Sequence, residues 1–367
     1  MQQARWTTQL RPGALDAFDL TWKLEDDLDL AVDAVGPAWE ALRGARLFIT
    51  GGTGFVGRWL LETLARAEVR LGLGIDAVIL TRDPDGFAAR APHLAAASGF
   101  SCHRGDVREF AYPLGDFTHF IHGATDSAGD LGMSDPRAMF DTVVLGTRRV
   151  LDFAVAKGVK RILHLSTGAV LGRQPWTLPH MAESFAGVPD SANAGDAYGE
   201  GKRAAEMLCA IYGRQFALDV SIARLFAFAG PFQPLDSRFA IGNFIRDALA
   251  GRTVVVKGDG RAVRSYLYAG DLAAWLWCLL ARGPTGGLYH VGSDEAVSIG
   301  ELAARVARLV GNGSYEIQGA ADSGWNPGRY VPAVDAITQD LGVRRTVGLD
   351  QAILRTLAWN LKAAAGE

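Results

Sequence analysis

Short apolar runs bounded by glycine or polar residues recur along the chain and predict strands, the run at 77–80 being suited to a buried parallel strand. They are Leu47-Phe48-Ile49, Ala77-Val78-Ile79-Leu80, Phe120-Ile121, Arg161 to Leu165 and Val220 to Leu225, with another leading into Gly105-Asp106-Val107. Segments with helical spacing separate them at 58–66, 138–157 and 197–213, the second stopped by Gly158, which suits a helix C-cap. Alternating strands and helices imply an α/β fold with a parallel, doubly wound sheet, whose strand carboxyl ends line a ligand crevice. From Gly172 the pattern loosens, and Pro175, Pro179 and Pro189 mark a long loop up to Asp196. Beyond Leu225, Gly230-Pro231, Gly258-Asp259-Gly260 and Gly283-Pro284 break the chain into short elements, which predicts a smaller lobe interleaved with the end of the sheet.

Composition narrows the class. A chain of 367 residues is long for one domain and suits a large and a small lobe. The formal charge of −3 gives no electrostatic reason to expect nucleic acid or an anionic membrane as partner. Cys102, Cys209 and Cys278 are an odd count without metal-ligand spacing, as for thiols in a reducing compartment, so no metal is expected. Residues 1–44 carry Glu25, Asp26, Asp27 and Asp29, show no basic-then-apolar leader, and read as a helical extension packed on the core. No apolar run reaches the roughly 18 residues a membrane span needs. A soluble, cytoplasmic protein is expected.

The stretch Thr50-Gly51-Gly52-Thr53-Gly54-Phe55-Val56-Gly57 follows the first strand and opens a helix. Gly51 allows a tight turn, Gly54 lets backbone approach a pyrophosphate, and Gly57 lets helix and strand pack closely. Free N–H groups at the helix start would hold the phosphates. Glycine triplets are weak signals in a chain with 44 glycines, but this one sits in the confirming context of strand, turn and helix. A dinucleotide-binding Rossmann unit is therefore expected over 45–227, after an N-terminal extension at 1–44 and before a mainly substrate-binding lobe at 228–367.

Tyr198 and Lys202 stand four apart on one predicted helix face. An unperturbed tyrosine is a poor base at neutral pH, and a neighbouring cation stabilises its phenolate. Thr167 ends the strand that begins at Arg161, where a substrate hydroxyl would be held. Together they suit removing a hydroxyl proton while hydride leaves the same carbon for a nicotinamide ring.

With these residues in place the chain resembles the extended short-chain dehydrogenase/reductases, in the nucleotide-sugar epimerase/dehydratase branch. The resemblance spans roughly 45–360. It rests on the glycine motif, Gly105-Asp106-Val107, His122-Gly123-Ala124, Gly146-Thr147, Ser166 to Gly172, Tyr198 to Lys202, Arg224-Leu225-Phe226, Arg264-Ser265-Tyr266 before Asp271-Leu272, and Tyr289-His290-Val291-Gly292. It implies Tyr198 as acid/base, Lys202 on the nicotinamide ribose and Thr167 on a substrate oxygen. It places Gly51, Thr53, Gly54, Phe55, Val56, Gly57, Gly123 and Ala124 around the cofactor, with Asp106 and Val107 beside adenine. Arg264 would contact the diphosphate of the sugar nucleotide, and Arg329 is a second candidate. Asn243 would supply a polar substrate contact or cap its helix. The helices at 137–157 and 197–213 resemble the pair through which this family forms homodimers.

Departures from the pattern narrow the reaction. The family's dehydratases carry an Asp-Glu pair after the catalytic threonine, and here those positions are Gly168 and Ala169, which cannot transfer protons. That weighs against a 4,6-dehydratase and against a decarboxylase that keeps the glutamate. Leu171, Ala227 and Val143 replace a tyrosine and two asparagines of the family. What remains is epimerisation, expected at C4 through a keto intermediate, or NADPH-dependent reduction of a nucleotide-4-keto-sugar. Intact Tyr198 and Lys202 disfavour a non-catalytic cofactor sensor. Thr81 and Arg82 replace the acid that would hold a free ribose 2′-hydroxyl, so NADP is preferred within an NAD(P) expectation, with Asp83 near enough to serve a ribose instead.

Overall fold

Strand β1 (Arg46–Thr50) is buried from Leu47 to Thr50 and forms the middle of a seven-stranded sheet. The structure, a computed structural model, describes residues 22–125, 134–236, 239–310, 313–321 and 328–365. β2 (Asp76–Thr81), β3 (Phe100–Arg104), β4 (His119–His122), β5 (Arg161–Thr167), β6 (Asp219–Leu225) and β11 (Leu288–Val291) complete the sheet in the order β11-β6-β5-β4-β1-β2-β3. Every pairing in it is parallel. The order reverses between β1 and β4, which makes the gap between their carboxyl ends the switch-point crevice of an open α/β sheet.

Helices cover both faces of the central strands, which are buried on both sides, while the edge strand β3 is largely exposed. Helix α2 (Phe55–Leu71) and α8 (Ala269–Arg282) pack on one face, and α5 (Pro136–Lys157) and α6 (Ala197–Phe216) on the other. Two short helices, α3 (Pro84–Arg90) and α4 (Pro92–Ala95), link β2 to β3. Helix α1 (Leu24–Val35) lies against α2 and α8, so the described part of the N-terminal extension belongs to the core. Its Asp27 is buried, accepting from Trp22 Nε1 at 3.0 Å and also from Tyr268 and Arg355. These contacts tie the extension to the C-terminal helix α11 (Leu349–Ala365). Residues 1–21 lie outside the described residues.

The strands expected at 77–80, 120–121, 161–165 and 220–225 all form, a residue or two longer. The stretch after Leu225, expected as short elements, instead holds α7 (Ala240–Leu249), α8, α9 (Ile299–Leu309), α10 (Asp335–Leu341) and α11, alongside short strands. Helix α8 shows why periodicity missed it. Residues 269–280 are buried on every side, so its sequence alternates with no polar face. Trp59 of α2 joins the lobes: its ring is fully buried and Nε1 donates to Pro231 O at 2.9 Å. One small strand pairing matters for the site. β9 (Val263–Arg264) lies beside β14 (Arg329–Tyr330), with Arg264 opposite Tyr330 and Val263 opposite Arg329.

Candidate active site

The glycine turn leaves β1 at the switch point. Gly51 has φ +76°, a left-handed conformation that favours glycine, and a Cβ there would meet the Gly123 carbonyl carbon at 2.5 Å. A Cβ on Gly57 would fall 2.2 Å from Gly51 O. Both positions therefore require glycine for the turn and helix to close on the strand. Gly54 differs: a Cβ there meets only Gly51 O, at 3.5 Å, and the residue is exposed as the N-cap of α2 with no side-chain cap. Thr53, Phe55 and Val56 are half-buried along the same ledge. The first amides of α2 thus face an open surface at the positive end of a 17-residue helix, which fits a pyrophosphate.

Beneath that ledge a buried chain of hydrogen bonds fixes the end of β4. Thr50 Oγ1 accepts the amides of Gly123 at 3.2 Å and Ala124 at 3.1 Å, so its own proton goes to His122 Nδ1, 2.7 Å away. His122 Nε2 then carries the ring proton and donates to Thr147 Oγ1 of α5 at 2.9 Å. Burial, aided by the nearby Lys202 charge, pushes the His122 pKa down to about 3, so the ring is neutral. Gly146, beside Thr147, lets α5 approach Val107: a Cβ there would stand 2.8 Å from Val107 Cγ1. Thr50, His122 and Thr147 were not among the expected site residues. The motifs His122-Gly123-Ala124 and Gly146-Thr147 were their signal, and the threonine before the glycines carried none.

At the adenosine end, Thr81 is buried and its Oγ1 accepts the Asp83 amide at 3.2 Å. The Asp83 carboxylate accepts the Gly86 amide at 2.9 Å as the N-cap of α3. Asp106 binds Arg108 through Nε at 2.8 Å and the backbone amide at 2.9 Å. Arg108, with Arg82 nearby, holds the Asp106 carboxyl below the usual range. Two arginines thus flank one acid beside β2 and β3.

The residues expected to carry the chemistry lie where β5 meets α6. The helix starts just after Asp196, which puts Tyr198 in its first turn and Lys202 one turn on. Tyr198 is half-buried and packs against Met139, Val143 and Ala205. Lys202 is buried at 2% exposure, and Nζ donates to Leu165 O at 2.8 Å. Burial pushes its pKa down to about 8. An ammonium has three donors, so two remain after Leu165 is satisfied. His164 of β5 lies beside it, fully buried with no hydrogen-bond partner on either ring nitrogen, and burial drives its pKa well below the usual value. Ser166 and Thr167 point to opposite sides of β5. Ser166 Oγ donates to Glu206 Oε1 at 2.5 Å, and Arg224 grips the same carboxylate through Nη2 at 2.7 Å and Nε at 2.9 Å. A cavity of about 580 Å³ along that flank of α6 touches Glu206 and Arg224 but neither Tyr198 nor Thr167.

Thr167 faces the second lobe. Its Oγ1 accepts the Ala169 amide at 3.3 Å and lies 3.4 Å from Tyr330 Oη. Tyr330, not expected from the sequence, packs its ring 4.6 Å from Phe226. Adjacent residues in paired strands share a face, so Arg264 stands on the Tyr330 side. Arg264 Nη1 donates to Val263 O at 2.8 Å. Arg329 stands on the other side, donating through Nε to Pro179 O at 2.8 Å, with its guanidinium 5.9 Å over Trp176. Asn243, in the first turn of α7, donates through Nδ2 to Phe239 O at 3.2 Å. The structure thus brings Thr167, Tyr198 and Arg264 into the neighbourhood of Tyr330, with Lys202 one helical turn from Tyr198 and tied to β5, while the contacts of Arg329 run to the 174–179 loop.

A seven-stranded parallel sheet with a glycine ledge at its switch point is a Rossmann-type fold. Residues 47–292 match the model of the NAD dependent epimerase/dehydratase family. Among curated relatives, UDP-glucuronic acid decarboxylase 5 of Arabidopsis thaliana is 30% identical over 308 residues, covering 84% of this chain and 87% of that protein. dTDP-glucose 4,6-dehydratase of Actinoplanes is 26% identical over 323 residues, covering 86% of this chain and 97% of that one. The crystal structure of the dTDP-glucose 4,6-dehydratase DesIV of Streptomyces venezuelae, with NAD and TYD bound, superposes with a TM-score of 0.75 at 27% identity, covering 88% of this chain and 98% of that one. The chain belongs to the NAD dependent epimerase/dehydratase family, whose relatives here act on nucleotide sugars. No helix among the described residues is long and apolar enough to cross a membrane.

Proposed function

We propose that this chain is an oxidoreductase acting on a nucleotide-activated sugar, catalysing epimerisation at C4 through a keto intermediate. The observation that carries the reading is the pair Gly168 and Ala169 beside Thr167. Neither can move a proton, and the space over Gly168 is filled by the Phe226 ring and the Tyr330 hydroxyl, 2.5 and 2.7 Å from where a Cβ would be. The acidic pair that dehydration would use has no counterpart at these two positions, while Tyr198, Lys202 and Thr167 are kept. One acid/base group remains.

A bound nicotinamide dinucleotide supplies the hydride acceptor and donor. Gly51, Thr53, Gly54, Phe55, Val56 and Gly57 would hold its pyrophosphate, Gly123 and Ala124 the adjoining face, and Asp106 and Val107 its adenine. Tyr198 takes the hydroxyl proton from the sugar and returns it. Thr167 holds the same oxygen, and Lys202 supports Tyr198 and offers its remaining donors to the nicotinamide ribose. Arg264 meets the diphosphate. Arg329 is a second candidate for that contact if its loop partner is exchanged for substrate, and Asn243 offers an amide near the sugar. The exposed Phe140 and Leu145 of α5 and Met207 and Ile211 of α6 support a homodimer built on those helices.

A second reading has its own observation. Thr81 and Arg82 occupy the place of a ribose-binding acid, and the Asp83 carboxylate is engaged in capping α3. That arrangement suits a 2′-phosphate, hence NADPH and net reduction of a 4-keto-sugar. Identifying the dinucleotide that copurifies, then supplying UDP-, GDP-, CDP- and dTDP-sugars with and without NADPH, separates the two. Turnover without cofactor consumption is expected for the epimerase, and stoichiometric NADPH oxidation for the reductase. A 4-keto-6-deoxy product would refute both.

A further inference from the structure

Tyr330 reaches Thr167 across 163 positions of sequence, from a strand of the second lobe to the end of β5. Its ring lies on Phe226, and its hydroxyl occupies space that only glycine at 168 leaves open, since a Cβ there would be 2.7 Å from Oη. Two acceptors compete for the phenol proton: Thr167 Oγ1 at 3.4 Å and Leu225 O at 3.5 Å. Both distances lie at the long end of the hydrogen-bond range, so neither partner holds the phenol firmly. Burial raises the Tyr330 pKa above the usual phenol value, so the group is neutral and can donate.

The demand on Thr167 changes during the proposed reaction. A sugar hydroxyl can donate or accept, whereas the carbonyl that replaces it only accepts. Thr167 must then give its proton to the substrate oxygen and take hydrogen bonds from elsewhere. The Ala169 amide supplies one at 3.3 Å, and Tyr330 is placed to supply the second. If the phenol donates to Leu225 instead, its lone pair attracts the threonine proton away from the substrate.

We propose that Tyr330 is a positioning residue that turns the Thr167 hydroxyl toward the reacting sugar oxygen, from the space Gly168 leaves free. This rests on the reaction class proposed above.

The test is a double-mutant cycle on turnover of a nucleotide sugar accepted by the parent, with melting temperature measured alongside. Tyr330→Phe keeps the ring on Phe226, so an unchanged melting temperature is expected. Its kcat should fall roughly tenfold, the scale of one hydrogen bond, with KM nearly constant. In a Thr167→Ala background the same change should do nothing further, because residues acting as a unit are not additive. Gly168→Ala, which pushes on both the Phe226 ring and the phenol without removing either, should reproduce the kcat loss. Parental kcat in Tyr330→Phe, or effects that multiply in the double variant, would overturn the inference while leaving the reaction intact. A parent inactive on every sugar nucleotide would remove the reaction class and this inference with it.

Discussion

The ammonium of Lys202 donates to the carbonyl of Leu165 across 2.8 Å, pinning the second turn of α6 to the end of β5. That bond sets how Tyr198, one turn earlier, stands relative to Thr167, two residues beyond Leu165. It also buries the cation, which is why its pKa falls from 10.5 to about 8. Below that pH Lys202 is charged and, in the proposed mechanism, would support a phenolate; above it that support would be lost.

The rate should therefore show an alkaline limb near pH 8, measured as kcat/KM across pH. Lys202→Met removes the cation, so the remaining activity should lack that limb and fall on the order of 10²-fold or more. A variant with the parent's pH profile would show that Lys202 only packs.

His164 carries a different prediction. Its folded pKa is depressed, as is that of His122, which falls from 6.5 to about 3. Below about pH 6.5 the unfolded chain takes protons that the folded rings refuse, so stability declines as pH falls. Each such proton contributes a slope of up to about 1.4 kcal/mol per pH unit. His164→Leu replaces an unpartnered buried imidazole with an apolar side chain. It should flatten the decline between pH 6 and 4 and raise the melting temperature at pH 5, by about 1–3 kcal/mol of stability. Denaturant titrations at several pH values check this, and an unchanged slope would contradict it.

Gly57 and Gly54 should separate folding from binding. A Cβ at 57 strikes Gly51 O at 2.2 Å, so Gly57→Ala should destabilise by about 1–3 kcal/mol and abolish dinucleotide binding. Gly54→Ala meets nothing nearer than 3.5 Å within the protein, so the fold should be retained while binding weakens. Calorimetric titration with the dinucleotide together with thermal melts distinguishes them. Equal binding by Gly54→Ala and the parent would place the pyrophosphate elsewhere.

Arg82 reports the cofactor. If it meets a 2′-phosphate, Arg82→Ala should weaken NADP binding by roughly 10–100-fold and leave NAD binding nearly unchanged. Equal effects on both dinucleotides would leave ribose recognition to Asp83 and favour NAD.

The sequence made the sheet and the glycine ledge legible because both are local: apolar runs of strand length, a turn needing φ above zero, a helix start. Tyr198 and Lys202 were legible for the same reason, since helical spacing places them together. Tyr330 was not, because its partner Thr167 is 163 positions away and only folding of the second lobe joins them. Arg264 and Arg329 looked alike in sequence, yet strand alternation sends them to opposite faces. The helices after Leu225 were missed where burial on all sides erased the amphipathic period, as in α8. Gly168 was read as the loss of an acid. Its neighbours Phe226 and Tyr330 show that the position is also a space requirement.

The most direct measurement is the turnover rate of Tyr198→Phe on whichever nucleotide sugar the parent accepts. The phenylalanine ring preserves packing on Val143 and Ala205, so only the proton-carrying oxygen is removed. The account predicts a fall on the order of 10²–10⁴-fold with the dinucleotide still bound. Turnover at the parental rate would contradict it.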